Sequence, residues 1–180
     1  MRREIFLDMD DTIVALSQHV IDIYNQETGE NFDWRKNEKW MWTDADKVRE
    51  QYFHNILHRK KIFYDAPILG GEQTKEYINE LVKLHDVYII TTPMKNNTEC
   101  FKEKIKWFRK NGINISERHI IFSARKGLCA GKDRILVDDK TSNLDAWTWN
   151  DGIAIAFAHG WNKDWQGKKI NTIVELDRYI

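Results

Sequence analysis

Short apolar runs alternate with amphipathic stretches along most of this chain. Ile5-Phe6-Leu7, Val87-Tyr88-Ile89-Ile90, Ile120-Ile121-Phe122, Ile135-Leu136-Val137 and Ile153 to Phe157 predict five strands, the first over about residues 4–8. Continuous β-branched and aromatic runs of this length suit strands buried on both faces. Between them, apolar residues three and four apart predict helices. One covers residues 16–27, with Val20, Ile23 and Tyr24 on its inner face and Gly29 as its stop. A second covers 72–84, with Tyr77, Ile78, Leu81 and Leu84 on one stripe. A third covers 98–110, with Phe101, Ile105 and Phe108 inward and Asn111-Gly112 ending it. A short segment at 144–149 precedes the fifth strand. Strands alternating with helical patterns imply βαβ units, and therefore an α/β fold around a parallel sheet.

The alternation stops between residues 31 and 65. Trp34, Trp40, Trp42, Tyr52, Phe53, Phe63 and Tyr64 are there interleaved with charges, and no strand pattern is present. This reads as a small helical insertion, after which Pro67-Ile68-Leu69-Gly70-Gly71 returns the chain to the sheet. The expected division is a core of residues 1–15 and 66–180 with residues 16–65 inserted. Lys168-Lys169 reads as a solvated face.

Composition narrows the class. A length of 180 residues suits one domain, or one core with a small insertion. The 28 basic residues balance 28 acidic ones, so no electrostatic footprint for a nucleic-acid polymer exists. No apolar stretch approaches the ~20 residues needed to span a bilayer. Met1-Arg2-Arg3 is basic, but Asp8 and Asp10 interrupt the apolar stretch after it, unlike a signal peptide. Cys100 and Cys129 have no metal or redox spacing and read as buried free thiols. Together these features suit a soluble protein of the reducing cytoplasm.

The strand ends carry the chemistry. The first run leads into Asp8-Met9-Asp10-Asp11-Thr12, the second into Thr91-Thr92-Pro93, the third into Ser123 with Arg125-Lys126, and the fourth into Asp138-Asp139. In open α/β sheets, ligands bind beyond the carboxyl ends of the strands, so these four places would meet at one site. Carboxylates as close as Asp8 and Asp10 resist ionising together unless a cation neutralises them. Mg²⁺ suits such a pair, since it takes oxygen ligands and commonly a substrate phosphate. A carboxylate so placed can also attack phosphorus. Asp-x-Asp alone would equally fit an Asp-rich turn; the agreement among four places favours the site.

This ordered set resembles the haloacid dehalogenase superfamily of phosphotransferases, and within it the 5′(3′)-deoxyribonucleotidases with their bacterial and phage relatives. The resemblance runs through Phe6–Thr12, Ile89–Lys95, Phe122–Lys126, Ile135–Asp139 and Phe157–Asn162. It implies a three-layer, Rossmann-like parallel sheet with a small helical cap inserted after strand one. It also implies Mg²⁺-dependent hydrolysis of (deoxy)nucleoside monophosphates through an aspartyl-phosphate. By the same resemblance Asp8 would be the nucleophile and Asp10 the general acid/base. Thr91, with Thr92 beside it, would hold the phosphoryl group, and Lys126, preceded by Arg125, would neutralise it. Mg²⁺ would be held by Asp8, the backbone carbonyl of Asp10 and Asp139, with Asp138 behind them. Relatives seat the base among cap aromatics, which makes Trp40 and Trp42 candidates, against the alternative that they pack the cap.

Three departures stand out. Asp11 occupies a position where relatives usually carry Gly, and Leu16 one where several carry a base-contacting Phe. Lys126 lies about two residues further from the paired acids than family spacing suggests, so Lys132 competes for its role. A phosphatase for another small phosphomonoester would share the core motifs, and a catalytically silent binding domain could retain the fold. A polynucleotide-end phosphatase is disfavoured by the balanced charge. The expected partner is a small nucleotide, with the chain a monomer or homodimer.

Overall fold

The apolar runs become strands in the computed structural model, which describes residues 2–40 and 46–180. They are β1 (Glu4–Leu7), β2 (Asp86–Thr91), β3 (Ile120–Phe122), β4 (Ile135–Asp138), β5 (Ile153–Phe157) and β6 (Lys168–Ile170). The helices are α1 (Leu16–Thr28), α2 (Lys47–Leu57), α3 (Ile62–Asp65), α4 (Gly71–Leu84), α5 (Glu99–Lys110) and α6 (Thr141–Trp149). All strand pairs are parallel, in the order β3-β2-β1-β4-β5-β6. β1 therefore sits between the two strands that carry the other acidic and hydroxyl endings, with Leu7 in register with both Ile89 and Val137.

Alternation along the strands fills two hydrophobic layers. Ile5, Leu7, Ile89, Ile135 and Val137 face a large cluster with α1, α4 and α5, through Val20, Ile78, Trp107 and Phe108. Phe6, Ile90, Leu136 and Ala156 face a second cluster with Leu144 and Trp147 of α6. The fold is thus three-layered. Each fully buried aliphatic or Phe side chain contributes about 1.5–3 kcal/mol relative to exposure.

Three expectations need correction, and one strand was not anticipated. Lys168-Lys169 is solvated as expected, Lys168 exposed and Lys169 half-buried, yet the pair belongs to β6, which pairs with β5 and places Ile170 in the core; three residues are too few for a period to show. On α5 the inner face is Cys100, Lys104, Trp107 and Phe108, whereas Phe101 is exposed and Ile105 half-buried. The helix is rotated because Lys104 finds acidic and hydroxyl partners inside and the Trp107 indole donates to the Ala66 carbonyl (2.7 Å). Leu84 is exposed, being the last residue of α4 where the chain leaves for β2. Of the two thiols, Cys100 is buried and Cys129 only half-buried.

The segment between β1 and α4 packs into the same core. Phe53 and Ile56 of α2 pack into the cluster that contains Ile5 and Leu7. α1 ends where Gly29 takes the left-handed conformation (φ 74°) and its N–H closes on Asn25 O. Asp46 caps α2 by accepting from the backbone of Val48 and Arg49, each at 3.0 Å. Arg49 then bonds Glu30 at 2.9 Å, tying α2 to the end of α1. Trp42 lies outside the described residues.

Candidate active site

The carboxyl ends of β1, β2 and β4, with the turn after β3, open on one pocket of about 120 Å³. Its lining includes Asp8, Asp10, Asp11, Thr92, Lys126 and Asp139, together with Leu16, Trp40 and Trp161. Parallel pairing accounts for the convergence, because it sets these strand ends along a single edge of the sheet.

Asp8 follows β1 directly and its N–H donates to Val137 O at 2.8 Å, extending the ladder by one bond. Its side chain is almost wholly buried. Lys126 Nζ lies 2.5 Å from Asp8 Oδ1 and 2.7 Å from Asp138 Oδ2, itself buried. Lys126 begins a 3₁₀ turn (Lys126–Cys129) that packs on α6 so closely that a Cβ on Gly127 would lie 3.0 Å from Ala146 O. The turn thereby delivers the lysine, and Lys132 stays outside the pocket on the loop before β4.

Carboxylate oxygens of Asp8, Asp138 and Asp139 all lie within 4.8 Å of one another. Burial, reinforced by Asp138 and Asp10 and opposed by Lys126, pushes the Asp8 carboxyl from 3.8 up to about 7. Burial and the charges of Asp8, Asp138 and Asp11 likewise hold Asp139 well above the usual carboxylate range. Lys126 is raised, since the attraction of Asp138 and Asp8 outweighs the cost of its burial. One ammonium thus leaves the cluster with excess negative charge, and all-oxygen donors at this spacing fit a hard divalent cation. Asp138 is further fixed by Lys140 N (2.9 Å) and by Asn143 Nδ2, 3.0 Å from its Oδ1. Asp139 accepts from the Trp161 indole at 3.1 Å.

Asp10 is half-buried, and its Oδ2 is paired with Lys104. Its Oδ1 is buried without a hydrogen-bond partner among the described residues. Lys104 also donates to Thr91 Oγ1 (2.7 Å) and to Thr92 O (3.3 Å). Lys104 is fully buried, and sequence reasoning passed over it. The available signal was a lysine inside the apolar i, i+4, i+7, i+8 stripe Cys100, Lys104, Trp107, Phe108, a position where an unpaired charge would be costly.

The remaining expected residues are spread unevenly. Thr91 is buried with its hydroxyl held by Lys104, whereas exposed Thr92 reaches the pocket. Arg125 is exposed and outside the pocket lining, contacting Ser123 Oγ through its backbone N–H. Trp40 lines the pocket with the Lys140 ammonium 3.6 Å from its ring centroid. Asp11 adopts a left-handed conformation (φ 54°), which Asp tolerates better than most side chains. Its carboxylate accepts from Ser17 N (2.8 Å) and Ser17 Oγ (2.5 Å), so it anchors the start of α1.

Comparison with known proteins bears on the family and the fold. Residues 2–175 match the family described as 5′ nucleotidase, deoxy (pyrimidine), cytosolic type C protein. A protein of Oceanobacillus iheyensis named as a nucleotidase is 27% identical over 156 residues, covering 78% of this chain and 79% of that protein. Among solved structures, a haloacid dehalogenase-like hydrolase from Streptococcus pneumoniae superposes with a TM-score of 0.64 at 16% identity, covering 99% of this chain and 98% of its own. A haloacid dehalogenase-type hydrolase from Bacillus subtilis bound to magnesium gives 0.61 at 12% identity, covering 98% and 97%. These structural likenesses speak to the fold.

Proposed function

The chain belongs to the deoxy (pyrimidine), cytosolic type C 5′ nucleotidase family, and on that premise we propose that it hydrolyses (deoxy)nucleoside monophosphates with Mg²⁺ through an aspartyl-phosphate on Asp8. The observation that carries this reading is Asp8 itself. It is buried in the pocket lining, 2.5 Å from Lys126 and grouped with Asp138 and Asp139.

Asp8 attacks phosphorus: a bond from its Oδ forms as the ester P–O bond breaks, and Asp10 gives its proton to the departing nucleoside oxygen. Asp10 then takes a proton from water, whose oxygen attacks the same phosphorus. The Asp8–phosphorus bond breaks, inorganic phosphate leaves, and both carboxyls return to their starting states. The buried, unpartnered Oδ1 of Asp10 suits this proton traffic, with Oδ2 held in place by Lys104. Lys126 offsets charge on Asp8 and on the phosphoryl oxygens, a stabilisation that is strong in a cleft shielded from water. Thr92 and the backbone after Asp8 would cradle those oxygens, and buried Thr91 would act by fixing Lys104. Asp8, Asp139 and the Asp10 carbonyl would hold Mg²⁺, with Asp138 behind them. The cation would supply further neutralisation of the phosphoryl group.

Residues 16–65 act in this reading as a cap, and Trp40 as the surface on which the base stacks. The Trp40 indole in the pocket lining favours a nucleotide over a small sugar phosphate. Among the described residues no helix is long and apolar enough to cross a membrane, in keeping with action on soluble nucleotides in the cytoplasm. The direct test is a panel of nucleoside monophosphates and sugar phosphates assayed with and without Mg²⁺. Faster turnover of sugar phosphates would replace the nucleotide with another small phosphomonoester, and metal-independent turnover would remove the cation.

A further inference from the structure

We propose that His159 and Trp161 are positioning residues, a clamp that locks the metal-side acid Asp139 to the turn that follows Asp10. The role of Asp139 in this clamp rests on the functional reading above; the connection itself rests on geometry.

Two parts of the site meet through this pair. At one end, Trp161 Nε1 donates to Asp139 Oδ2 at 3.1 Å. At the other, His159 Nε2 lies 2.6 Å from the backbone carbonyl of Asp11. Between them the two rings stack face to face, 4.2 Å apart and 8° from parallel. The chain therefore runs from carboxylate to indole to imidazole to carbonyl, linking residues 11 and 139 across the pocket.

The rest of the loop keeps this pair still. Asn162 is buried, and its amide donates to Asp139 O (2.8 Å) and Phe157 O (2.7 Å). Its Oδ1 accepts from His159 N at 2.9 Å. Gly160 packs so tightly that a Cβ there would sit 2.5 Å from Asn37 O, so the segment between β1 and α4 backs the clamp directly. Trp34 meets the His159 ring edge-on at 5.9 Å. Burial pushes the imidazole down from 6.5 to about 4, opposed by the Asp11 carbonyl. The ring stays neutral, and Nε2 keeps the proton that the carbonyl accepts.

Such an outer partner fixes the direction of a ligand oxygen, and removing one typically costs ~10–100-fold in metal affinity or activity. The geometry here adds a second consequence. A change at Trp161, whose indole N–H bonds Asp139 rather than the Asp11 turn, should still loosen that turn.

The experiment uses Trp161→Phe, which keeps a stacked ring but removes the N–H to Asp139, and His159→Phe, which keeps the ring but removes the N–H to Asp11. His159→Gln, which restores a side-chain donor, covers the case in which His159→Phe folds poorly. Mg²⁺ affinity is read by titration calorimetry without substrate, and backbone exchange of residues 8–16 by hydrogen–deuterium exchange without metal. Melting temperature serves as the control for general damage. The clamp predicts Mg²⁺ binding weakened by about tenfold or more in each Phe variant, partial recovery in His159→Gln, and no further loss in the double Phe variant. It also predicts faster exchange of the 8–16 segment in Trp161→Phe. Binding within about twofold of the parent together with unchanged exchange would overturn it. So would purely additive losses in the double variant, since a single connection cannot be broken twice. A parent protein that binds no Mg²⁺ leaves the exchange arm to decide the clamp. A parent inactive on nucleoside monophosphates removes the substrate reading and leaves both arms intact.

Discussion

Lys104 Nζ donates to Thr91 Oγ1 at 2.7 Å and also pairs with Asp10, so a helix on one face of the sheet reaches through to the edge formed by the carboxyl ends of its strands. The lysine is fully buried and directs its three donors to Asp10, Thr91 and the Thr92 carbonyl. Lys104→Met should therefore leave the packing volume nearly unchanged while stranding the Asp10 carboxylate. We expect kcat to fall by about 10²–10³, comparable to losing one fixed donor at a charged centre, with the protein still folded by circular dichroism. A kcat within about threefold of the parent would show that Asp10 is oriented without it.

Asp8→Asn should abolish turnover while preserving the fold, and beryllofluoride with Mg²⁺ should bind the parent as a mimic of the phosphorylated Asp8. Asp10→Asn spares the nucleophile and loses only proton transfer, a contribution of ~10²–10⁴. A folded Asp8→Asn protein turning over near the parent rate would remove the covalent route. A loss below about tenfold in Asp10→Asn with a poor leaving group would remove Asp10 as acid/base.

Lys126→Met should be severe and Lys132→Met mild. Lys126 is paired with both Asp8 and Asp138, whereas Lys132 lies outside the pocket. The expected cost at Lys126 is ~3–4 kcal/mol of transition-state stabilisation, read from kcat/KM. The reverse ranking would mean that the ion pair of the resting site breaks on substrate binding.

Without metal, stability should fall as pH rises from about 4 to about 7. Asp8 and Asp11 are each raised by burial from 3.8 to about 7, and Asp139 is raised as well. Across that window the folded chain keeps protons that the unfolded chain has released, so the slope of unfolding free energy against pH is negative. His159, lowered from 6.5 to about 4, and His19, also lowered by burial, act in the opposite sense over much of the same range. Three raised acids outweigh the two imidazoles, since each tenfold change in a group's proton affinity is worth about 1.4 kcal/mol. Thermal melts of the chelator-treated protein at pH 5 and pH 7.5 test this, and Mg²⁺ should recover much of the loss at the higher pH. A metal-free protein that melts higher at pH 7.5 would contradict the balance.

Trp40→Ala should raise KM for nucleoside monophosphates by ~5- to 150-fold, the equivalent of ~1–3 kcal/mol for one base–aromatic stack. Turnover of ribose 5-phosphate should change little. Equal losses on both substrates would make Trp40 a packing residue whose partner is Lys140, 3.6 Å from its ring centroid.

How much of this could be read from residues alone differs element by element. The strand runs were legible because central parallel strands are apolar on both faces, and β1, β4 and β5 are almost wholly buried. The Asp8, Thr91, Lys126 and Asp138 positions were legible because they sit at or just past the ends of those runs. β6 was hidden by its three-residue length and two lysines. The inner face of α5 was misjudged because a lysine counts as polar in any periodicity. Its partners, Asp10 and Thr91, are 94 and 13 residues away in sequence. The His159–Asp11 contact spans 148 residues and could not have been anticipated from spacing.

The central place of β1 also has a bearing on how the chain acquires activity. The strand precedes both of its sheet neighbours, which begin at residues 86 and 135, and the Asp8–Lys126 pair closes a separation of 118 residues. Helices such as α1 and α2 can form from local contacts, whereas non-local strand pairing must first meet the entropy of large loop closures. During refolding, helical signal should therefore return before phosphatase competence. On the ribosome, the nascent chain should accordingly stay catalytically silent until β4 has emerged and slotted beside a strand some 130 residues earlier in the chain.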